Sequence, residues 1–309
     1  MKKGTLPLVA ILFAVIILGG AVFISASPVT SDPFELHDQD ALTTAVAAGL
    51  LGGERSTEWM RSLDKVIPPE ERERLIKTDR SELTVAKRFT RDFLIRLSED
   101  GNAVDVSFSD IDMSIYETFV DEFIEKESDL ILSKVDLFKK DDLETIIGPS
   151  KEEVRRYGNN VGEVILNNST VAEHELHIFK RLMKEGNRSD ELALIKMSSE
   201  YIGIAKDASL VEVPDDAVDI HLDFINNMIR GGAYIEKMAS VTEDPVEAVL
   251  SFNMYMEMTG KSFETMKRVY EYFDYKEIFY EEDESGFAFT ILKHIDVEKE
   301  LQEFLEKQP

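Results

Sequence analysis

Apolar positions recur at helical spacing over most of the chain. In 79–98, Leu83, Ala86, Phe89, Phe93, Ile95 and Leu97 fall on or near one face, which predicts an amphipathic helix closed by Gly101-Asn102. The same period returns in 112–133 with Ile115, Phe119, Phe123 and Ile124. After a connector at 135–149, Val154, Tyr157, Val161, Val164 and Ile165 line another face.

Helix starts are written into the polar residues. Ser150 with Glu153 forms a capping box, in which hydroxyl and carboxylate satisfy backbone donors that a first turn leaves unpaired, and Thr170 with Glu173 repeats the pattern. Gly186 is placed to end that second helix, and Ser189 to open one running to about Leu210. Pro214 and its acidic neighbours begin a helix over 215–240. Asp244-Pro245-Val246-Glu247 starts a long one, with proline where its missing donor costs nothing. Pro68-Pro69 starts a short helix through EERERLIK, and 34–66 reads as one or two short helices broken around Gly49, Gly52 and Gly53.

β signals are sparse. The stretch 103–111 alternates briefly, and 278–280 and 287–290 flank EEDESG as a small hairpin. A final helix is expected over 295–307. The predicted fold is therefore an all-α helical bundle with at most a minor β-hairpin near the C-terminus.

One segment departs from this pattern. Lys2-Lys3 precede an uncharged run whose apolar part, Leu6 to Ile24, spans a bilayer core of roughly 30 Å as a helix. Its cationic start and the acidic flank beyond (Asp32, Glu35, Asp38, Asp40) set the N-terminus in the cytoplasm and the remainder outside. A retained single-pass anchor is favoured on apolar length over cleavage after Ala26. The expected organisation is a signal anchor at 1–26, a proline-containing linker at 27–33, a short helical segment at 34–78 and an extracytoplasmic helical domain at 79–309.

Composition narrows the function classes. The 309 residues are 43% hydrophobic, enough for a sizeable core, and carry a formal charge of −26. Such a surface repels nucleic-acid phosphates, so no nucleic-acid partner is expected. With no cysteine, disulfides, thiolate metal sites and thiol nucleophiles are excluded. The expected partners are the lipid bilayer, through residues 6–24, and a protein of the cell envelope.

From Ser81 to Phe289 the phrases SELTVAKRFTRDFLIRLSEDG, KEEVRRYGNNVGEVI, VEVPDDAVDIHLDFINNM and EDPVEAVLSFNMYM follow one another. This order resembles an uncharacterised family of signal-anchored helical proteins from candidate-phylum bacteria (the Patescibacteria group). The resemblance covers about two-thirds of the chain and implies location and fold; residues 34–78 fall outside it. It brings no activity, cofactor or site residue.

Few groupings point to chemistry. His174 and His177 share a helix side at i, i+3 spacing, and Glu173 adds an oxygen, which makes these three the metal candidates. The metalloprotease arrangement needs histidines at i and i+4, and no third histidine has a fixed spacing to this pair, so a solvated helix face is the simpler reading. Met254, Met256 and Met258 offer thioethers suited to Cu(I), yet one helix cannot aim all three at one ion, and core packing accounts for them. The acidic strings SDID (109–112), EEDES (281–285) and the DD pairs at 141–142 and 215–216 lack the ligand alternation of a calcium loop. Gly158 and Gly162, outside any apolar span, suit a close helix–helix pass. The aromatic cluster in 270–289 is either buried against the last helices or a glycan- or protein-binding face, with burial favoured. No phosphate loop or nucleophile elbow is present, and no cofactor is implied. The expected function is a non-catalytic interaction or scaffold role in an envelope or surface-appendage assembly, with a helical binding module for a small ligand or cation as the alternative.

Overall fold

The structure, a computed structural model, describes residues 67, 69–99, 113–168 and 173–291. These residues form the expected all-α bundle. The predicted anchor at 6–24, the segment 34–66, the alternating stretch 103–111, the Thr170 cap and the final helix at 295–307 lie outside the described residues. Among the described residues no helix is long and apolar enough to cross a membrane.

In chain order the helices are α1 (Pro69–Lys77), α2 (Val85–Glu99), α3 (Met113–Leu132), α4 (Lys151–Asn168), α5 (Glu175–Glu185), α6 (Arg188–Ala208), α7 (Val218–Met238), α8 (Pro245–Tyr275) and α9 (Phe287–Ile291). Short 3₁₀ turns occupy 80–82, 140–142 and 215–217. Among the described residues the β content is one parallel bridge between β1 (Thr145–Ile146) and β2 (Val213–Pro214). The hairpin expected at 278–290 does not form: 281–286 is a turn, and Phe287 to Ile291 closes into α9.

Three long antiparallel helices, α6, α7 and α8, carry two hydrophobic cores in tandem. Leu194 and Met197 of α6, Ile235 and Met238 of α7, and Val249, Leu250 and Tyr255 of α8 lie in the first core. Further along the same helices, Ile204 and Ala208, Phe224 and Met228, and Met266 and Phe273 lie in the second. Helices α1, α2, α3 and α5 complete the first core, in which Phe89 packs edge-on to Phe119 and Phe123 at ring-centroid separations of 5.1 Å. Ile67 and Leu75 are buried in that same core, so the described part of 34–78 packs with the helical body. Helix α4 and Phe289 of α9 complete the second.

The caps explain most boundaries. At α4 the Ser150 Oγ and backbone N–H both donate to Glu153 at 2.7 Å, as the capping box predicts. Gly186 takes φ +62°, the left-handed conformation that closes α5. Asp244 caps α8 by accepting from Glu247 N at 3.0 Å, and its other oxygen accepts from Val85 N at the start of α2, 3.1 Å away. One carboxylate therefore fixes two helix starts. Four starts differ from expectation: the helices read from 79 and from 215 begin at Val85 and Val218, each after a 3₁₀ turn, and two others have different caps. Asn187, rather than Ser189, caps α6, and His174 caps α5 through its Nδ1.

Candidate functional site

Glu175 is the least expected residue of the interior. It opens α5 at the position that Ile178, Phe179 and Leu182 continue as the buried stripe, so the helix phase carries its carboxylate inward. Tyr255 of α8 and Tyr201 of α6 both donate to Glu175 Oε1, the latter at 3.0 Å, and the two hydroxyls are 3.2 Å apart. Glu175 is 0% exposed. Burial, and then the neighbouring Glu175 charge, push the Tyr201 hydroxyl well above the usual tyrosine range, so it acts as a donor.

This polar cluster sits at the seam of the two cores. Tyr201 packs against both, and beside it Gly231 and Gly232 let α7 approach α6 closely, since a side chain at either would press on Tyr201, Met258 or Ile202. Glu175 Oε2 and His174 Nε2 have no hydrogen-bond partner among the described residues.

The three metal candidates do not converge. Glu173 forms an ion pair with Arg181, which also holds Asp190 at 2.6 Å. His174 Nδ1 accepts from Leu176 N at 3.2 Å, which leaves the proton on Nε2 and makes that nitrogen a donor rather than a ligand. The His177 ring lies 6.2 Å from that of His174; partial burial first, and the proximity of the His174 imidazole second, lower its pKa. Among the described residues no three His, Asp or Glu side chains form a group able to hold a metal ion.

The second core has its own polar layer. Tyr157 of α4 lies 3.1 Å from His221 Nδ1, and His221 Nε2 lies 3.1 Å from the Ala208 carbonyl. A carbonyl only accepts, so Nε2 carries the proton and the tyrosine hydroxyl donates to Nδ1. Burial pushes the His221 imidazole down to about 4. A void of about 10 Å³ beside Tyr157, lined by Val161, Phe224, Met266, Val269, Phe273 and Phe289, is apolar and holds at most one water.

Two further features meet their structural partners. Gly158 faces both Phe273 of α8, the close helix approach expected of it, and the Tyr280 ring of the following loop, whereas Gly162 admits the Ser285–Gly286 backbone rather than a helix. Asn159 fixes that loop by donating to Glu284 at 2.9 Å and accepting from Gly286 N at 2.8 Å. Met254, Met256 and Met258 are all buried, because α8 is enclosed on nearly every side between 245 and 259. The aromatic cluster divides: Tyr272, Phe273, Tyr280 and Phe289 are buried, whereas Tyr275 and Phe279 are exposed.

A third buried ionisable group has no counterpart among the sequence expectations. Glu127 of α3 takes both Arg80 and Arg88, with Arg88 Nη2 at 2.7 Å, and Arg80 reaches on to Asp92 at 2.9 Å. Burial raises the Asp92 pKa, but the Arg80 hydrogen bond and the charges of Arg80 and Lys126 outweigh it, so the carboxyl titrates below its usual range. The signal for Glu127 was its i+4 spacing from Phe119 and Phe123 and toward Ile131.

These clusters tie helices together: α5 to α6 and α8, α4 to α7, and the α2 region to α3. Compared with known proteins, the chain matches no family model, no curated protein and no solved structure.

Proposed function

We propose that this chain is a membrane-anchored, extracytoplasmic interaction or scaffold protein without catalytic activity, working in an envelope or surface-appendage assembly. The observation that carries the reading is how the interior polar groups are used. Glu127, Glu175 and His221 each hold neighbouring helices in register through bonds to Arg80 and Arg88, to Tyr201 and Tyr255, and to Tyr157 and Ala208. Such networks favour a rigid body over a reactive one. The uncharged run from Leu6 to Ile24 supports the tether, and the formal charge of −26 keeps the body off anionic headgroups and nucleic acid. The resemblance to signal-anchored helical proteins supports the same placement.

In-cell crosslinking followed by pull-down from solubilised membranes tests this. The expected result is a reproducible envelope protein recovered with the chain in the membrane fraction. Recovery of the intact chain from the cytosol, or no partner in repeated experiments, counts against it.

Glu175 Oε2 and the His174 Nε2–H, which lack hydrogen-bond partners among the described residues, favour one second reading, a helical module whose acceptor takes a small ligand or cation and whose donor takes a small ligand. A thermal-shift screen with Zn²⁺, Cu(I), Ca²⁺ and glycans separates the two, because a ligand that binds only the folded state raises the midpoint. No shift with any of them leaves the scaffold reading ahead.

A further inference from the structure

The most exposed large apolar side chains of the described region share one end of the molecule. Ile147, Leu210 and Tyr275 are 85%, 79% and 82% exposed, and Phe279 is 53% exposed. They come from the turn before α4, the end of α6, and the end of α8 with the residues after it. Polar contacts bind these segments to one another. Gly148 N lies 3.5 Å from Asp215, Lys276 pairs with Asp216, Lys151 reaches Glu277 at 3.1 Å, and Arg155 donates to the Phe279 carbonyl at 2.8 Å.

That end caps the second core, whereas Ile67, the described residue nearest the N-terminal apolar run, is buried in the first. Helix α8 alone has 31 residues, about 45 Å at 1.5 Å each, and passes through both cores. The apolar end is thus remote from Ile67. It is also anionic. The segments 139–156, 207–219 and 271–284 hold 17 Asp or Glu against 6 Lys or Arg. Five of those bases are already in ion pairs: Lys140, Lys151, Arg155, Arg156 and Lys276. A second copy would bring like charge against like, and anionic lipid is repelled in the same way.

We propose that this end is a docking surface for a basic amphipathic protein segment, whose apolar side chains cover Ile147, Leu210, Tyr275 and Phe279 while its Lys or Arg side chains meet the surrounding carboxylates. This rests on the scaffold reading and names its surface and the chemistry of its partner. Aromatic anchors ringed by charge suit such recognition, with the charges setting the association rate and the rings the lifetime.

The full chain in phosphatidylcholine nanodiscs is titrated against a fluorescent 18-residue Leu/Lys helix, with a Leu/Glu helix as counterpart. The variants are Ile147→Ser/Leu210→Ser/Tyr275→Ser/Phe279→Ser and, as a control on the outer face of α6, Leu192→Ser/Ile195→Ser. Expected are saturable binding of the Leu/Lys helix that weakens with salt, at least tenfold loss in the quadruple variant, no change in the control, and thermal midpoints near that of the parent for both. Equal binding by the quadruple variant, equal loss in the control, or equal binding of the Leu/Glu helix overturns the proposal. Self-association removed by the quadruple substitution would make a second copy the occupant, and flotation with added phosphatidylglycerol vesicles removed by it would make lipid the occupant; either overturns it too. If peptide binding ignores the substitutions while crosslinked membranes still yield a partner, this surface is refuted and the scaffold reading survives.

Discussion

Tyr157 donates its hydroxyl to His221 across the α4–α7 contact, and the opposite ring nitrogen donates to the Ala208 carbonyl. The imidazole is thereby held neutral, with both nitrogens occupied and no counter-charge in contact. Burial lowers its pKa from 6.5 to about 4. The unfolded chain then binds a proton more readily than the folded one between those values. Stability is full above pH 6.5, falls as pH drops toward 4, and levels off below.

The expected loss by pH 4.5 is about 2–3 kcal/mol, since each tenfold change in proton affinity between the two states is worth about 1.4 kcal/mol. Carboxylates held low, such as Asp216 and Glu284, lose their contribution only at more acid pH, and His177, only partly buried, adds a slope of the same sign, so the window from 6.5 to 4.5 belongs to the two histidines with His221 the larger part. Denaturant midpoints across that window check the expectation. The parent should show the full slope and His221→Gln only the smaller one left by His177; parallel curves would refute the assignment.

Glycine substitutions separate packing from helix propensity. Alanine is favoured over glycine in a helix by about 1 kcal/mol. At Gly260 a new Cβ meets nothing within 4 Å, so Gly260→Ala should stabilise by up to that amount. At Gly162 the Cβ would overlap the backbone carbonyl of Ser285, and backbone cannot swing aside as a side-chain tip can. Overpacking costs roughly 1–3 kcal/mol, so Gly162→Ala should destabilise despite its better propensity. Opposite signs in paired thermal melts are expected; the same sign for both would mean the loop at 281–286 yields freely.

How far the sequence could be read follows from these residues. The 3.6-residue period placed α3, α4 and the start of α8 to within a few positions, because their apolar stripes are long and caps such as Ser150–Glu153 and Asp244 mark their starts, while α2 begins six residues after the expected 79. The hairpin at 278–290 misled because β-rich side chains there are recruited by tertiary packing: Tyr280 and Phe289 fill the second core against Phe273. The buried ionisable groups were the harder omission. Glu127, Glu175 and His221 each stand in an apolar stripe, but in a chain with 61 acidic residues an acid at helical spacing looks like solvated surface. Their partners, Arg80 and Arg88, Tyr201 and Tyr255, and Tyr157, lie 26 to 80 positions away. Local pattern holds no record of such pairings.

At the seam between the cores, the acceptor at Glu175 serves two donors. Glu175→Ala would leave the Tyr201 and Tyr255 hydroxyls with only each other, and an unsatisfied buried group costs about 1–3 kcal/mol, so a loss of about 3 kcal/mol is expected. Glu175→Gln keeps an oxygen in place and should cost about 1 kcal/mol. Tyr255→Phe should fall between them, because Tyr201 retains its bond. Urea denaturation of the three variants checks the order, and a Gln variant as weak as the Ala variant would show that the charge, not the acceptor, holds the seam.

The ion pairs of α2 and α3 make a different demand. Glu127 is almost wholly enclosed, with its side chain 2% exposed, while those of Arg80 and Arg88 are 23% and 13% exposed. Removing the acid strands two partly buried cations, and breaking such a pair costs roughly 3–5 kcal/mol; partial solvent access to the arginines sets Glu127→Gln at the lower end, about 3 kcal/mol. Arg80 keeps Asp92 at 2.9 Å, so the cation chiefly stranded is Arg88. Replacing both members, as Glu127→Met with Arg88→Met, removes the charge and its counter-charge together, and buried pairs exchanged for apolar side chains of similar size are often neutral. Arg88 also donates to the Leu83 carbonyl at 2.7 Å, a bond the double variant loses, so recovery of about half the cost of Glu127→Gln is expected rather than all of it. A double-mutant cycle read by chemical denaturation measures this. A double variant no more stable than Glu127→Gln would mean that charge neutrality is not what the α2–α3 contact requires, and that the bidentate geometry itself sets the packing of Phe89 against Phe119 and Phe123.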